Sequence, residues 1–140
     1  MIKTRVRQVY KPDNKTSNIP GTKNRAGVYM IYISGKLRYI GYSGSNLQKT
    51  IMRHFQSWDD KTQVRTTYGM HDRKNATVRV TICNTPEQAK RLEAGLIIKH
   101  RPPDNPDKIK RLITKEEEQE VVNWFNTEVS NNKEWEEAPF

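Results

Sequence analysis

Residues 27–42 read GVYMIYISGKLRYIGY, and the reading of this stretch decides the fold. Gly27–Ile33 is rich in β-branched and aromatic residues, the composition of a strand. Ser34-Gly35-Lys36 is a turn signal, and Leu37–Tyr42 is a second short strand. Together they predict a β-hairpin. Alternate residues of a strand share a face, so Tyr29 and Tyr39 can bring their hydroxyls together.

Working outward, Leu47, Ile51, His54, Phe55 and Trp58 recur at helical spacing between Asn46 and Trp58. Residues 59–75 are polar and read as a loop with room for a short helix. Ala76–Cys83 places Val78, Val80 and Ile82 on one face, so a third strand is predicted. Thr85-Pro86-Glu87-Gln88 then opens a helix. Thr85 caps it, Pro86 takes the first helical position and Gln88 completes a capping box. Pro102-Pro103 should stop it after Lys99 or His100. A second capping box, Thr114-Lys115-Glu116-Glu117, precedes a terminal helix through Val121, Val122, Trp124, Phe125 and Val129. Residues 11–26, rich in Pro, Gly, Asn, Ser and Thr, read as irregular. The expected fold class is α/β (α+β): a small three-stranded antiparallel sheet flanked by helices, plus a C-terminal helix. The expected organisation is a basic N-terminal arm (1–26), a folded domain (27–110) and an acidic C-terminal helix and tail (111–140).

The chain has 140 residues and a mass of 16.4 kDa, as expected for one domain. Its 25 Lys and Arg against 16 Asp and Glu give a net charge of +9. Residues 1–26 carry +6, residues 27–114 carry +9 and residues 115–140 carry −6. That layout favours a polyanionic partner on the first 114 residues, most simply nucleic acid. No run approaches the roughly 18 apolar residues of a membrane span. The single Cys83 excludes an internally disulfide-bonded scaffold and reads as a buried free thiol. With no apolar leader after Met1, an intracellular, cytoplasmic location is expected.

Gly27-Val28-Tyr29 and, ten residues on, Tyr39-Ile40-Gly41 resemble the two motifs of the GIY-YIG nuclease family, with Val28 in place of the usual Ile. The stretch from Asn46-Leu47 to Arg53-His54-Phe55 is similar to the family's first helix. Glu93, then Arg101-Pro102 and Asn105, match the family's second helix and the turn after it. The resemblance covers residues 26–106 and implies a metal-dependent DNA endonuclease. The lack of a second sequence-reading module points to a stand-alone enzyme of phage, mobile-element or restriction type. It implies Mg²⁺ or Mn²⁺ on Glu93, since hard cations prefer oxygen ligands. It assigns Tyr39 to orienting or deprotonating water, with Tyr29 in support. His54 would relay a proton or bind phosphate, and Asn105 would position the site. A phenol near pKa 10 needs a neighbouring cation or metal to act as a base at neutral pH. No small-molecule cofactor is implied.

One departure matters. Aligned on Asn46-Leu47 and His54, the family's catalytic Arg falls at Thr50. Thr cannot supply a guanidinium. Arg53, one helical turn on, can take that role. Alternatively an Arg was exchanged for Thr to silence the enzyme, or the chain is a weakly active or non-cleaving DNA-binding protein. Tyr42 stands where repair-type members often carry Lys. Lys49, Arg65, Arg73, Lys74 and Arg101 are the candidate DNA-contacting cations, with Arg79 and Tyr68 nearby. His71 and His100 lack the spacing of a metal pair. The terminal helix is available for dimerisation or for packing on the chain's own core.

Overall fold

The computed structural model describes residues 2–3, 6–13, 15–19, 22–55, 67–105, 115–124, 126 and 136–137. At its centre is the hairpin of β3 (Gly27–Ile33) and β4 (Lys36–Ser43). Its loop is two residues, Ser34 and Gly35, with φ of 51° and 79°. Two successive positive φ angles match the right-handed twist of a hairpin, and Gly35 adopts this conformation without steric cost. Lys36 therefore belongs to the strand, paired with Ile33, and not to the turn.

The third long strand, β5 (Ala76–Ile82), pairs antiparallel with β3 along its whole length. These are the three strands expected from the sequence. The sheet is wider than that, because short segments near both chain ends add to it. β1 (Ile2–Lys3) and β2 (Arg7–Gln8) both pair antiparallel with β5, and β6 (Glu136–Glu137) lies parallel to β1. The order is β4-β3-β5-β1-β6, with β2 also on β5. Val9, Tyr10 and Ile19 are buried in the same cluster as β3 and β5, and Val9 N–H donates to the Ala76 carbonyl at 3.1 Å. The division drawn at residue 26 therefore does not coincide with an edge of the core. The polar composition of residues 11–26 hides these few anchoring side chains.

The sheet separates two clusters. One holds Tyr29, Ile31, Ile33, Val78 and Val80, and is covered by Leu47, Ile51 and Phe55. Leu47 and Ile51 come from α1 (Leu47–Arg53), whose N-cap Asn46 accepts the Lys49 N–H; Phe55 lies just beyond its C-cap, His54. The other cluster holds Val28, Met30, Ile40 and Cys83, covered by Ala89, Leu92 and Ile97 of α3 (Pro86–His100). The predicted caps of α3 are present. Thr85 Oγ1 accepts the Gln88 N–H, and Gln88 Oε1 accepts the Asn84 N–H. Arg101 ends the helix in the left-handed region, with φ of 46°, just before the two prolines. Trp124 of α4 (Lys115–Trp124) packs on the second cluster. That indole is thus used within the chain. A short α2 (Met70–Lys74) leads into β5. Trp58, Arg65, Thr114, Phe125 and Val129 lie outside the described residues. Among those described, no helix is long and apolar enough to cross a membrane.

A Cβ on Gly27 would lie 2.2 Å from the Thr81 carbonyl oxygen and 2.7 Å from Leu47 Cδ1. Gly27→Ala should therefore force β3 away from β5 and cost about 2 kcal/mol or more, read as a lower urea midpoint. Burial pushes the Cys83 thiol up to about 11. Native protein at pH 8 should react with a disulfide reagent far more slowly than unfolded protein. Because the unfolded thiol ionises first, this group should leave stability unchanged below about pH 9 and lower it between about pH 9 and 11.

Candidate active site

Strand β4 carries one residue more than its partner requires. Leu37 pairs with Tyr32, but Tyr39 pairs with Ile31, so Arg38 is a β-bulge. In an unbroken strand Leu37 and Tyr39 would share a face. Here Leu37 packs on the α3-side cluster and Tyr39 on the α1-side cluster. The bulge is what turns Tyr39 toward Tyr29.

Tyr29 lies opposite Gly41 in the ladder. A Cβ on Gly41 would fall 2.3 Å from Tyr29 Oη, so the Tyr29 ring occupies the space a side chain would fill. Its hydroxyl is hydrogen-bonded to His54 Nε2 at 2.7 Å. His54 is the C-cap of α1, and its carbonyl accepts the Tyr68 N–H at 2.6 Å. The Tyr39 ring completes the group, 4.6 Å from His54 and 6.1 Å from Tyr29 between centroids. Tyr29 and His54 are each 2% exposed, whereas Tyr39 is only half-buried. Of the three, Tyr39 is the ring most open to a substrate.

The turn after α3 is tied to this strand. Asn105 Oδ1 accepts the Ile40 N–H at 2.8 Å, and Asn105 Nδ2 donates to the Ile40 carbonyl at 2.7 Å. Its side chain thus stands in for a neighbouring strand at the β4 edge. The Asp104 N–H donates to the Arg38 carbonyl at 2.9 Å. The Asp104 carboxylate pairs with the Arg38 guanidinium at 2.9 Å and accepts the Tyr68 hydroxyl at 2.9 Å. Burial and this hydrogen bond raise the Tyr68 phenol far above its ordinary value, so it stays protonated and donates. From sequence, Arg38 and Asp104 carry no site role, and Tyr68 stands only beside the candidate DNA-contacting cations, with no link to Asp104. The only signal for Asp104 was its place beside Asn105.

The other candidates lie on α1, α2, α3 and β5. Glu93 is half-buried on α3, between the buried Leu92 and Ala94. Thr50 is half-buried, and its hydroxyl donates to the Asn46 carbonyl at 3.0 Å. Arg53 sits half-buried in the last turn of α1, directly before His54. Lys49, Lys74, His71, His100 and Arg101 are exposed, and Arg79 is half-buried on β5. Arg73 is not an open surface cation. Its guanidinium lies over the Tyr10 ring and donates to the Phe55 carbonyl.

Two substitutions examine this geometry. Gly41→Ala should displace the Tyr29 ring and break its bond to His54, seen as a changed imidazole ¹⁵N shift in NMR. Tyr29→Phe should leave His54 Nε2 buried without its phenol and cost about 1–3 kcal/mol in urea unfolding.

Comparison with known proteins agrees with this architecture. Residues 25–110 match the family described as the GIY-YIG catalytic domain. Among solved structures, the chain is similar to the GIY-YIG N-terminal endonuclease domain of UvrC from Thermotoga maritima, bound to its catalytic divalent cation, magnesium. The two share 23% identity and superpose with a TM-score of 0.50, over 69% of this chain and 99% of that one. No curated protein sequence matches. With the hairpin, the two flanking helices and the match over most of its length, the chain belongs to the GIY-YIG family.

Proposed function

We propose that this protein is a metal-dependent DNA endonuclease that hydrolyses phosphodiester bonds. The observation that carries the reading is the assembly of Tyr29, Tyr39 and His54 into one cluster at the family's motif positions. Tyr39, the more accessible phenol, orients or deprotonates the attacking water. Tyr29 and His54 form the buried pair behind it and hold its surroundings in place. The His54 imidazole, hydrogen-bonded to the Tyr29 hydroxyl through Nε2, can also take up a proton.

Glu93 is the candidate metal ligand. Among the described residues, no three His, Cys, Asp or Glu side chains gather at one point. A single carboxylate such as Glu93 is still compatible with Mg²⁺, or Mn²⁺ in its place, because Mg²⁺ keeps several waters and needs only one or two carboxylates. An ion held by Glu93 would supply Lewis-acid polarisation of the scissile phosphate and of the attacking water. Asn105 keeps strand β4, and so Tyr39, in register with the end of the helix that carries Glu93.

The cation normally supplied at position 50 is missing, and Thr50 directs its hydroxyl to its own helix. Arg53 is the substitute on α1. A second reading, a weakly active or non-cleaving DNA-binding protein, rests on this same Thr50. A Mg²⁺-dependent cleavage assay on plasmid, duplex and RNA substrates separates the two. The chain should cut DNA. Tyr39→Phe should lower the rate about 10²–10⁴-fold, and Glu93→Ala should abolish cutting. Arg53→Ala should lower it by orders of magnitude if Arg53 supplies the charge. Cutting only after Thr50→Arg would favour the binder, and preference for RNA would reassign the substrate.

A further inference from the structure

A concavity lies where the N-terminal segment meets α2, lined by none of Tyr29, Tyr39 and His54. It is a pocket of about 210 Å³ lined chiefly by Gln8, Tyr10, Lys11, Pro12, Arg73 and Lys74. Three of its lining residues are cations and none is a carboxylate. Two acids adjoin lining residues in sequence: Asp72, half-buried, precedes Arg73 but does not line the pocket, and Asp13 follows Pro12 and accepts hydrogen bonds from the Lys15 N–H and from the N–H and hydroxyl of Thr16. These hold its carboxyl at about 2, and its charge is spent inside its own loop.

Arg73 forms the inner wall. Its guanidinium lies 4.9 Å from the centre of the Tyr10 ring, while Nη2 donates to the Phe55 carbonyl. The Nε of Arg73 is buried without a hydrogen-bond partner. The guanidinium is held in place by the Tyr10 and Phe55 contacts, so little side-chain freedom is lost when its charge meets an anion. Lys11 and Lys74 are exposed. They can close over that anion as mobile point charges.

We propose that this pocket binds a phosphate of the nucleic-acid backbone, as an anchoring contact distinct from the bond being cut. The proposal rests on the nuclease reading for the identity of the substrate. A non-bridging phosphate oxygen carries the charge and the acceptors that three cations would satisfy. One wall, residues 8–12, lies outside the residues that match the family model. Arg73 also touches Phe55, the neighbour of His54. A phosphate held here would fix how the duplex sits relative to the aromatic cluster.

The test is equilibrium binding of a fluorescent duplex to the full chain, in chelator without Mg²⁺, across roughly 50–200 mM NaCl. Lys11→Ala/Lys74→Ala removes two exposed side chains and should leave the melting temperature unchanged. It should weaken binding about tenfold at the lowest salt and make the log–log salt slope shallower by about 1–2, since each phosphate contact contributes about 0.9. A control pair of exposed lysines away from the pocket, Lys90→Ala/Lys115→Ala, should leave the slope unchanged. Equal loss in both pairs, or no change in the first, overturns the pocket and leaves the nuclease reading standing. Failure of the unsubstituted chain to bind any nucleic acid overturns both. Inorganic phosphate that shifts the Lys11 and Lys74 NMR signals, with duplex affinity unchanged in the double variant, would mark a free-anion site and overturn the backbone assignment.

Discussion

One residue of excess length in β4 sets the chemistry of this molecule. Because side chains in a strand alternate between faces, the bulge at Arg38 sends everything after it to the opposite side from what simple alternation dictates. Without it, Tyr39 would face α3, away from Tyr29 and His54. The bulged residue is also the one that pairs with Asp104, and Asp104 in turn receives the Tyr68 hydroxyl. The irregularity is thus fastened on the outside by the turn after α3.

Much of this was legible in the sequence, for local reasons. The hairpin follows from composition and from a turn whose residues tolerate positive φ. The start of α3 follows from Thr85, Pro86 and Gln88, and its end from Pro102. The convergence of Tyr29 and Tyr39 was anticipated, but through plain alternation; the mechanism is the bulge. Nothing in LRYIGY marks Arg38 as extra, because a bulge exists only relative to a partner strand. Tyr68, Asp104 and Arg38 are far apart in the chain, and no periodicity links them. Val9, Tyr10 and Ile19 escaped notice because each is an isolated apolar residue in a polar segment, and their burial depends on the surface of β5.

Electrostatics shows the same split between count and placement. The chain is strongly basic, yet its cations have separate duties. Arg38 is neutralised by Asp104, and Arg73 braces Tyr10 against the end of α1. Thr50 has given its hydroxyl to the helix backbone. The charge available for phosphate is therefore a matter of where each side chain is held, and Arg53, Lys11, Arg73 and Lys74 matter more than the total.

The Asn105 clasp has a consequence for association between molecules. Strand β4 ends the sheet, and such strands commonly recruit a second chain through their unpaired backbone groups. Here the outward carbonyl of Arg38 and both backbone groups of Ile40 are already occupied by Asp104 and Asn105. A second strand approaching this stretch of β4 would first have to displace the side chain of Asn105 and the backbone of Asp104.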